Sequence, residues 1–429
     1  MTADVAVLGA GPAGLAAAAA AHDAGARVTL VDSAPRPGGQ YLRHRAGEPG
    51  PGTPVYFRAR HAIWHVERTA GGFTTHTDAG EIRSATVIVA TGAFDRQLPF
   101  PGWTLPGVYT AGGAQALLKG HGVVVGDRVV IAGTGPFLLP VAAGLAAAGV
   151  RVLGVFEANS PLGFAQQPSA VVRNPGKLVE GAHYLRVLRR YRVPFHTGQT
   201  VVAAHGSDTV EAVTIARLGS DWRPTALRDV ECDAVAVGYG FTPQLEIPLQ
   251  LGCATHLDTD DSLVATADEH QRASATDVYL AGEVCGVGGA QLSTVEGEIA
   301  GRHAAGAPVP ARLVNRRARL RAFAAAMHRT YPVRPGWRTW LADDTLVCRC
   351  EEVPLAAVTE AINELGATGA RAVKLLARPG MGLCQGRVCG YATACLAGPV
   401  TADDLRAMAT RPIAQPISLA TLARHVEEP

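Results

Sequence analysis

A glycine-rich turn near the start of the chain constrains its fold more than any other feature. Gly9, Gly11 and Gly14 form a G-x-G-x-x-G motif between a short apolar run, residues 5–8, and an alanine-rich stretch, residues 15–22. In this setting the first glycine permits a tight turn, the second lets the backbone approach a pyrophosphate, and the third lets the helix pack on the strand. The free N–H groups of the helix N-terminus then attract phosphate oxygens. The motif predicts a β–α–β dinucleotide-binding unit.

An acidic residue closes the second predicted strand of this unit. Asp32 stands 18 positions after Gly14, where a carboxylate accepts hydrogen bonds from an adenosine ribose and disfavours a 2′-phosphate. Three later segments favour FAD over NAD: a Pro-Gly-Gly-Gln run, a Thr-Gly turn at a strand end, and an Ala-Gly-Glu run before a glycine-rich helix start. That helix start would direct its positive end at a reduced flavin. The residues expected at this cofactor are Gly9, Gly11, Pro12, Ala13, Gly14, Asp32, Gly38, Gly39, Gln40, Thr91, Gly92, Gly282, Glu283, Gly289 and Ala290.

The same supersecondary pattern restarts in the middle of the chain. A strand over residues 127–132 leads into Gly133 and Gly135, and the next strand ends at Glu157. Two nested nucleotide-type folds are therefore expected. The third glycine of the motif is replaced by Leu138, whose side chain would hinder close packing of the helix on the strand. Two interpretations stay open: NAD(P) bound with its ribose on Glu157, or a Rossmann unit kept as a scaffold.

Four of the eight cysteines cluster late in the chain. Cys348 and Cys350 form a C-x-C pair, and, after 33 intervening residues, Cys384 and Cys389 form a C-x4-C pair in a glycine-rich segment. Thiolates on two tight loops suit an iron–sulfur cluster, whereas structural zinc usually has C-x2–4-C spacing in both halves. We expect these four cysteines to hold an iron–sulfur cluster, with zinc as the alternative.

Bulk properties exclude several function classes. A formal net charge of +2 gives no general attraction to nucleic acid or to an anionic membrane. No stretch approaches the roughly 20 apolar residues that span a bilayer, and the N-terminus lacks a basic segment followed by an apolar one. We therefore expect a cytoplasmic protein without a transmembrane segment or nucleic-acid partner. No acid–base pair or substrate clamp is evident in the sequence, so no catalytic residue is assigned.

The order of these features predicts an α/β chain of two nested Rossmann-type dinucleotide-binding domains followed by a small helical cysteine module. The first fold is expected to resume at the apolar strand over residues 233–237. The expected divisions are a discontinuous FAD-binding domain at 1–115 and 230–310, a second nucleotide-type domain at 116–229, a linker helix at 311–341, the cysteine module at 342–398 and an extended tail at 399–429.

Together these motifs resemble the FAD-binding subunits of bacterial multi-subunit amino-acid and opine dehydrogenases, such as the A subunit of opine oxidase and the B subunit of hydrogen cyanide synthase. The resemblance rests on the two glycine turns, the Gly-Tyr-Gly-Phe-Thr-Pro run at residues 238–243, and the Cys-Arg-Cys-Glu-Glu-Val and Gly-Met-Gly-Leu-Cys-Gln-Gly-Arg-Val-Cys blocks. The last block resembles the bacterioferritin-associated-ferredoxin-like [2Fe-2S] domain. The resemblance thus implies FAD and a [2Fe-2S] cluster on the four clustered cysteines. In some relatives the first site holds another adenine nucleotide and an FMN lies at a subunit interface.

The resemblance also implies a function for the chain. In such complexes a separate FAD-dependent subunit oxidises the amino acid or opine, and this chain would relay the electrons to an acceptor. A small ferredoxin-like subunit is a further partner that the resemblance allows. A flavin can take up two electrons together and release them singly to a cluster. Two other interpretations stay open: a self-contained NAD(P)H-dependent reductase of a protein acceptor, and a non-catalytic nucleotide-binding assembly subunit.

Overall fold

A computed structural model describes residues 3–45, 47–48 and 50–426 of the chain. Short runs of β-branched and small apolar residues form buried parallel strands, as expected where helices cover both faces of a sheet. In chain order the strands are β1 Ala3–Leu8, β2 Val28–Asp32, β3 Tyr56–Ala59, β4 Ile63–Thr69, β5 Gly72–Thr77, β6 Gly80–Val89, β7 Ala93–Asp95, β8 Val108–Thr110, β9 Arg128–Gly133, β10 Arg151–Glu157, β11 Phe195–Thr197, β12 Gln199–His205, β13 Ala212–Leu218, β14 Pro224–Glu231, β15 Ala234–Gly238, β16 Phe241–Pro243, β17 Thr255–Leu257, β18 Leu263–Ala265, β19 Val278–Leu280, β20 Leu346–Cys348 and β21 Val353–Pro354.

The helices alternate with these strands in the first two thirds of the chain and dominate the last third. In chain order they are α1 Pro12–Asp23, α2 Gly39–Leu42, α3 Ala111–His121, α4 Leu138–Ala147, α5 Pro168–Val172, α6 Pro175–Arg190, α7 Glu246–Gln250, α8 Ala290–Ala304, α9 Ala311–Thr330, α10 Leu355–Asn363, α11 Ala370–Ala377, α12 Gly390–Ala397, α13 Ala402–Ala409 and α14 Leu419–Val426. Within the described residues, no helix combines the length and apolarity needed to cross a bilayer.

The first sheet carries the first glycine turn at the end of its central strand. Its order is β3-β2-β1-β6-β5-β4, and β19 pairs with β6 as well. Strand β6 is long enough to pair antiparallel with β5 along its first half and parallel with β19 along its second. Strands β1, β2, β3, β6 and β19 therefore form a parallel Rossmann sheet, and β4 and β5 extend it as an antiparallel flap.

The alanine-rich composition of α1 follows from its direct packing on α8. A Cβ atom at Gly297 would lie 2.0 Å from the carbonyl oxygen of Ala13, and one at Gly301 would lie 2.2 Å from that of Ala17. Glycine on one helix and alanine on the other thus let the two backbones touch. This close approach brings the N-terminal ends of both helices to the same edge of the first sheet.

The second sheet repeats the design with the order β11-β10-β9-β15-β8, all parallel, and a separate antiparallel sheet of β12, β13 and β14. One sequence prediction is wrong here. Strand β15 was expected to resume the first fold, but Val235 pairs with Val130 of β9 and with Val108 of β8. The boundaries at 115/116 and 229/230 therefore cut through the second sheet. A short buried strand has the same apolar sequence in either sheet, so its sequence does not indicate which sheet it joins.

The residues after α9 form a small helical module that shares a buried core with the rest of the fold. Helix α9 occupies most of the predicted linker, and the β20–β21 hairpin with α10, α11 and α12 follows it. The tail was expected to be extended, yet it contains α13 and α14. Thr401 caps α13 by accepting a hydrogen bond from the Asp404 N–H. Between these two helices, the N–H of Ala414 donates to the carbonyl oxygen of Trp64 on β4, so only this middle part runs along a surface as predicted.

The predicted α/β class is confirmed by this arrangement. Three parts of the fold position the candidate site. They are the carboxyl ends of the parallel strands in the first sheet, the N-termini of α1 and α8, and one side of the helical module.

Candidate functional site

The first glycine turn has the geometry that its motif predicts. Gly9 has a φ of +105°, and a Cβ there would lie 2.4 Å from the carbonyl oxygen of Ala90. A Cβ at Gly14 would lie 1.7 Å from the carbonyl oxygen of Gly9, so both positions require glycine for packing. At Gly11 a Cβ would meet no protein atom within 4 Å. Because α1 begins immediately afterwards at Pro12, the turn leaves an open cradle in front of the helix N-terminus, the position at which a pyrophosphate binds in such motifs.

Asp32 is held at the mouth of this cradle by the backbone. The N–H of Ala10 donates to Oδ2 at 2.6 Å, and the N–H of Ala34 donates to Oδ1 at 2.8 Å. Each carboxylate oxygen keeps a second lone pair for another donor, and the side chain is only half-buried. The carboxylate is therefore available to ribose hydroxyl groups beside the glycine turn.

The Pro-Gly-Gly-Gln run packs directly on the same turn. The N–H of Gly38 donates to the carbonyl oxygen of Ala10 at 2.7 Å, and a Cβ at Gly39 would lie 2.7 Å from Cα of Gly11. Gln40 follows in the short helix α2. These contacts place the Pro-Gly-Gly-Gln run beside the predicted phosphate cradle.

The Thr-Gly turn and the Ala-Gly-Glu segment close the other side. The Thr-Gly turn is close to the glycine turn, since a Cβ at Gly9 would lie 3.3 Å from the backbone nitrogen of Thr91. The Ala-Gly-Glu segment is close to it as well, since a Cβ at Gly282 would lie 2.9 Å from the Cβ of Ala13. In a short 3₁₀ helix over Gly282–Cys285, Glu283 accepts a hydrogen bond from the Gly289 N–H at 3.0 Å, just before α8 begins at Ala290. Burial raises the pKa of Glu283. The structure thus brings all the segments predicted for the first cofactor to one edge of the first sheet.

Sequence reasoning missed the buried ion cluster that supports this edge. The carboxylate of Glu296, on α8, is fully buried and accepts hydrogen bonds from the Gly282 N–H and from the guanidinium groups of Arg317 and Arg321 on α9. The signal in the sequence was an acid in a helix of small residues, together with two arginines four positions apart. These three residues hold the Gly282–Cys285 segment in place.

The second glycine turn differs from the first at its helix. Gly133 is required, since its Cβ would lie 1.9 Å from the carbonyl oxygen of Gly238. Helix α4, however, begins at Leu138, two residues later than the start of α1 relative to the motif, and the Leu138 side chain lies in the core. Its free N–H groups therefore lie further from the Gly133–Gly135 turn than those of α1 lie from Gly9 and Gly11.

The acid of the second site is enclosed by the protein. Glu157 is 2% exposed, and it accepts hydrogen bonds from the Thr134 hydroxyl, the Gly135 N–H and the Asn159 N–H at 2.8, 2.8 and 2.9 Å. Burial raises the pKa of Glu157 to about 7. Asn159 also donates to the carbonyl oxygen of Pro332, just after α9. The structure brings Gly133, Gly135 and Glu157 together as predicted, but it covers the carboxylate.

The four clustered cysteines meet in the helical module as two pairs. Cys348 and Cys389 are buried neighbours, and their interaction lowers the pKa of Cys348 to about 5 and raises the pKa of Cys389. Cys350, which is exposed, lies against Cys384, and burial together with that neighbour raises the pKa of Cys350. The loops approach closely because residue 382 is glycine, where a Cβ would lie 2.4 Å from that of Cys350.

These sulfur atoms do not form one tight group. Among the described residues, no three of these sulfur atoms lie within 4.8 Å of one another. The group of three His, Cys, Asp or Glu side chains that meets this distance is Asp258, Asp260 and His328. A single tetrahedral zinc ion would bring all four sulfur atoms within about 4 Å of one another, given Zn–S bonds of roughly 2.3 Å. Two pairs instead match a cluster with two irons, each of which takes two thiolates. In the Asp258 group the carboxylate of Asp260 is already paired with a positive side chain, because the Arg96 guanidinium lies 2.8 Å from it.

Two of the contacts that join the cysteine module to the nucleotide-binding part of the chain involve arginines. In the first, Arg387, between the last two cysteines, lies 2.9 Å from the buried carboxylate of Glu246 and donates to the carbonyl oxygen of Cys384. In the second, the Arg96 guanidinium, at the end of β7, lies 4.2 Å from the ring centroid of Tyr391 on α12. Glu246 was not predicted from the sequence, since it lies outside the Gly-Tyr-Gly-Phe-Thr-Pro run that ends three positions before it.

Comparison with known proteins agrees with this geometry. Residues 3–306 match the family model described as pyridine nucleotide-disulphide oxidoreductase. The chain belongs to this family. It is 35% identical to hydrogen cyanide synthase subunit HcnB of Pseudomonas aeruginosa over 90% of each chain, and 31% identical to the A subunit of opine oxidase from Rhizobium meliloti over 99% of each. Among solved structures, L-proline dehydrogenase from P. horikoshii shares the fold with a TM-score of 0.70 at 20% identity, over 99% of this chain and 80% of that one.

These findings confirm two predictions from the sequence. The predicted resemblance to the A subunit of opine oxidase and to the B subunit of hydrogen cyanide synthase extends over most of the chain. The chain is a flavin-dependent oxidoreductase, and family membership implies FAD as its cofactor.

Proposed function

We propose that this chain is the electron-relay subunit of an opine or amino-acid dehydrogenase complex, with FAD at the first glycine turn and a [2Fe-2S] cluster on Cys348, Cys350, Cys384 and Cys389. The observation that carries the proposal is the pairing of the four thiols, Cys348 with Cys389 and Cys350 with Cys384, in a module packed on the flavoprotein fold. When bound, the two groups would supply a converter between two-electron and one-electron transfer.

The first site is built for a dinucleotide with an extended middle section. The cradle at Gly11 would hold the pyrophosphate and the half-buried Asp32 the adenosine ribose. Glu283 lies at the opposite end, where a ribityl chain would pass, and the N-terminus of α8 faces the same direction. Positive charge from that helix end would favour a reduced, anionic ring. Glu296 and its two arginines keep the 3₁₀ segment rigid, which fixes Glu283 relative to the glycine turn.

A short series of hydrogen bonds links the proposed flavin edge to the cysteine loop. The Gln244 N–H donates to the carbonyl oxygen of Gly92, and the Thr91 hydroxyl donates to that of Gln244. Glu246 begins α7 two residues later and pairs with Arg387, which in turn donates to the carbonyl oxygen of Cys384. The strand-end turn expected beside the flavin is therefore fixed relative to the loop that carries two of the cysteines.

The second nucleotide-type unit serves as a scaffold in this proposal. Its helix begins late and Glu157 is covered, so the features that would hold a ribose and a pyrophosphate are weakened. Substrate oxidation is assigned to a partner protein, because the relatives are themselves named as subunits of an oxidase and a synthase. A self-contained NAD(P)H-dependent reductase would need the second site to be open.

The test begins with anaerobic purification of the full chain, followed by assays for FAD, iron and acid-labile sulfide and by electron paramagnetic resonance after reduction. We expect about two irons and two sulfides per chain and the spectrum of a reduced [2Fe-2S] cluster. Replacing Cys384→Ser should abolish that signal. Cys395→Ser is the matched control, since Cys395 is a buried cysteine of the same module that lies outside the two pairs.

Three results would overturn the proposal. Stoichiometric zinc in place of iron would remove the cluster, and colourless protein carrying ADP or ATP would favour an assembly role. Rapid oxidation of an opine by this chain without any partner would contradict the division of labour. Co-purification with the products of neighbouring genes would identify the expected FAD-dependent partner and show whether a small ferredoxin-like subunit or an interfacial FMN belongs to the complex.

A further inference from the structure

The two cysteine pairs differ in their access to solvent. Cys348 and Cys389 are buried against the core of the module, whereas Cys350 is exposed and Cys384 is half-exposed. A cluster bound by both pairs would therefore have one inner iron, in the core of the module, and one outer iron near the surface. Electron exchange with another protein would take place at the outer pair.

Exposed apolar side chains lie in the loop of the outer pair and in the helix that leads into it. Leu383, directly before Cys384, is 79% exposed, and Met381 precedes it in the same loop. Leu375 and Leu376, in the last turn of α11, are exposed as well, and α11 ends at this loop. Single exposed apolar residues are normal, but several around one functional group mark an interaction site.

The charge around the same place is positive. Arg349 lies between Cys348 and Cys350, and Arg371, Lys374 and Arg378 lie on α11 or at its end, against two acids, Glu351 and Glu352. Arg378 pairs with Glu351, whereas neither Arg349 nor Arg371 has an ion-pair partner within the described residues. Asp404, which accepts a hydrogen bond from the Ala370 N–H next to Arg371, is a third acid at the start of α11, so the four basic side chains outnumber the acids by one.

We propose that this surface, which we call the cluster face and define by Leu375, Leu376, Met381, Leu383, Arg349 and Arg371, docks a redox protein whose contact surface is apolar at its centre and acidic at its rim. The inference rests on the proposed function, because it requires the cluster on the four cysteines. One electron would pass from the reduced cluster to a one-electron acceptor in the docked protein. The cluster is then oxidised and the acceptor reduced, and no proton or bond is transferred.

The cluster face can be tested with two haem proteins of opposite charge. The full chain is reduced anaerobically with dithionite, desalted, and mixed in a stopped-flow instrument with ferric cytochrome b5, which is acidic, or ferric cytochrome c, which is basic. We expect the rate of haem reduction to fall with ionic strength for the acidic acceptor and to rise for the basic one, because salt screens attraction in the first case and repulsion in the second.

Charge variants show whether the effect arises at this face. Leu383→Glu should slow reduction of the acidic acceptor about tenfold and accelerate reduction of the basic one. Leu227→Glu is the matched control, since Leu227 is 63% exposed on β14, outside the cysteine module, and should change neither rate. Arg371→Glu is a second variant on the face that does not alter a cysteine loop.

The outcomes separate this inference from the proposed function. Iron, sulfide and the resonance signal are measured before mixing, so a wild-type chain without a cluster overturns both proposals at once. Two results with an intact cluster overturn the cluster face alone. In the first, Leu383→Glu and Leu227→Glu change the rates of haem reduction equally. In the second, the rates show the same salt dependence with both acceptors. If Leu383→Glu loses iron, Arg371→Glu decides the question by the same comparison.

Discussion

The carboxylate of Glu246 lies 2.9 Å from Nε of Arg387 and 3.0 Å from Nη1 of Arg411. Glu246 begins α7 in the nucleotide-binding part of the chain, Arg387 lies between two of the clustered cysteines, and Arg411 lies in the tail. One buried carboxylate therefore joins three separate segments. Since Arg411 also donates to the carbonyl oxygen of Gln385, both arginines fix the same cysteine loop.

Removing this carboxylate should destabilise the docked module. Glu246→Ala leaves two largely buried guanidinium groups without their partner, which costs about 3–5 kcal/mol. The free energy of unfolding, measured in urea on the purified chain, gives the loss. Glu231→Ala is the control, because Glu231 is 83% exposed in its ion pair with Arg128 whereas Glu246 is 6% exposed. The control should lose less than about 1 kcal/mol, and equal losses in the two variants would contradict a structural role for Glu246.

Alanine substitutions at Gly11, just before α1, and at Gly14, in its first turn, should have different effects on stability and FAD binding. Gly14→Ala places a Cβ 1.7 Å from a backbone oxygen, so it should destabilise the apoprotein and abolish FAD binding together. Gly11→Ala meets open space in the protein, and its backbone has a φ of −73° that alanine tolerates. It should leave the unfolding temperature of the apoprotein nearly unchanged while it weakens FAD binding at least tenfold, since the methyl group enters the phosphate cradle. Normal FAD affinity in Gly11→Ala would place the pyrophosphate elsewhere.

NADH should not reduce the flavin of this chain. The late start of α4 and the covered Glu157 remove two of the features that hold a dinucleotide. Anaerobic mixing with millimolar NADH, followed at the flavin absorbance band, should show no bleaching, whereas dithionite bleaches the band completely. Bleaching by NADH within seconds would instead support the self-contained reductase.

The sequence predicted those parts of the site in which a motif acts locally. Gly9, Gly14 and the four cysteines combine residue type with spacing, and each lies in or directly beside a tight turn. Strand β15 was placed in the wrong sheet because an apolar run carries no information about its neighbours. Glu246 and Arg411 are 165 positions apart, and no periodicity connects them. Helix α13 was missed because the prolines that follow it dominated the interpretation of the tail.

Glu157 should make the stability of the chain depend on pH in a recognisable direction. Burial raises its pKa from 4.5 to about 7, so between these values the folded chain binds a proton that the unfolded chain has released. Stability from this group is therefore full below about pH 4.5 and is lost as the pH rises through 7, by at most about 3 kcal/mol. Glu157→Gln cannot ionise and removes this dependence, whatever its absolute stability.

The measurement compares urea unfolding of the wild type and of Glu157→Gln at pH 5 and pH 8. The free energy of unfolding of the wild type, relative to that of the variant, should fall between the two pH values. Glu269→Gln removes one carboxylate that is 70% exposed, and the wild type relative to this control should show no such fall. A constant difference between the wild type and Glu157→Gln would mean that the carboxylate is ionised throughout. The second site would then hold a negative charge that the enclosure by Thr134, Gly135 and Asn159 does not suppress.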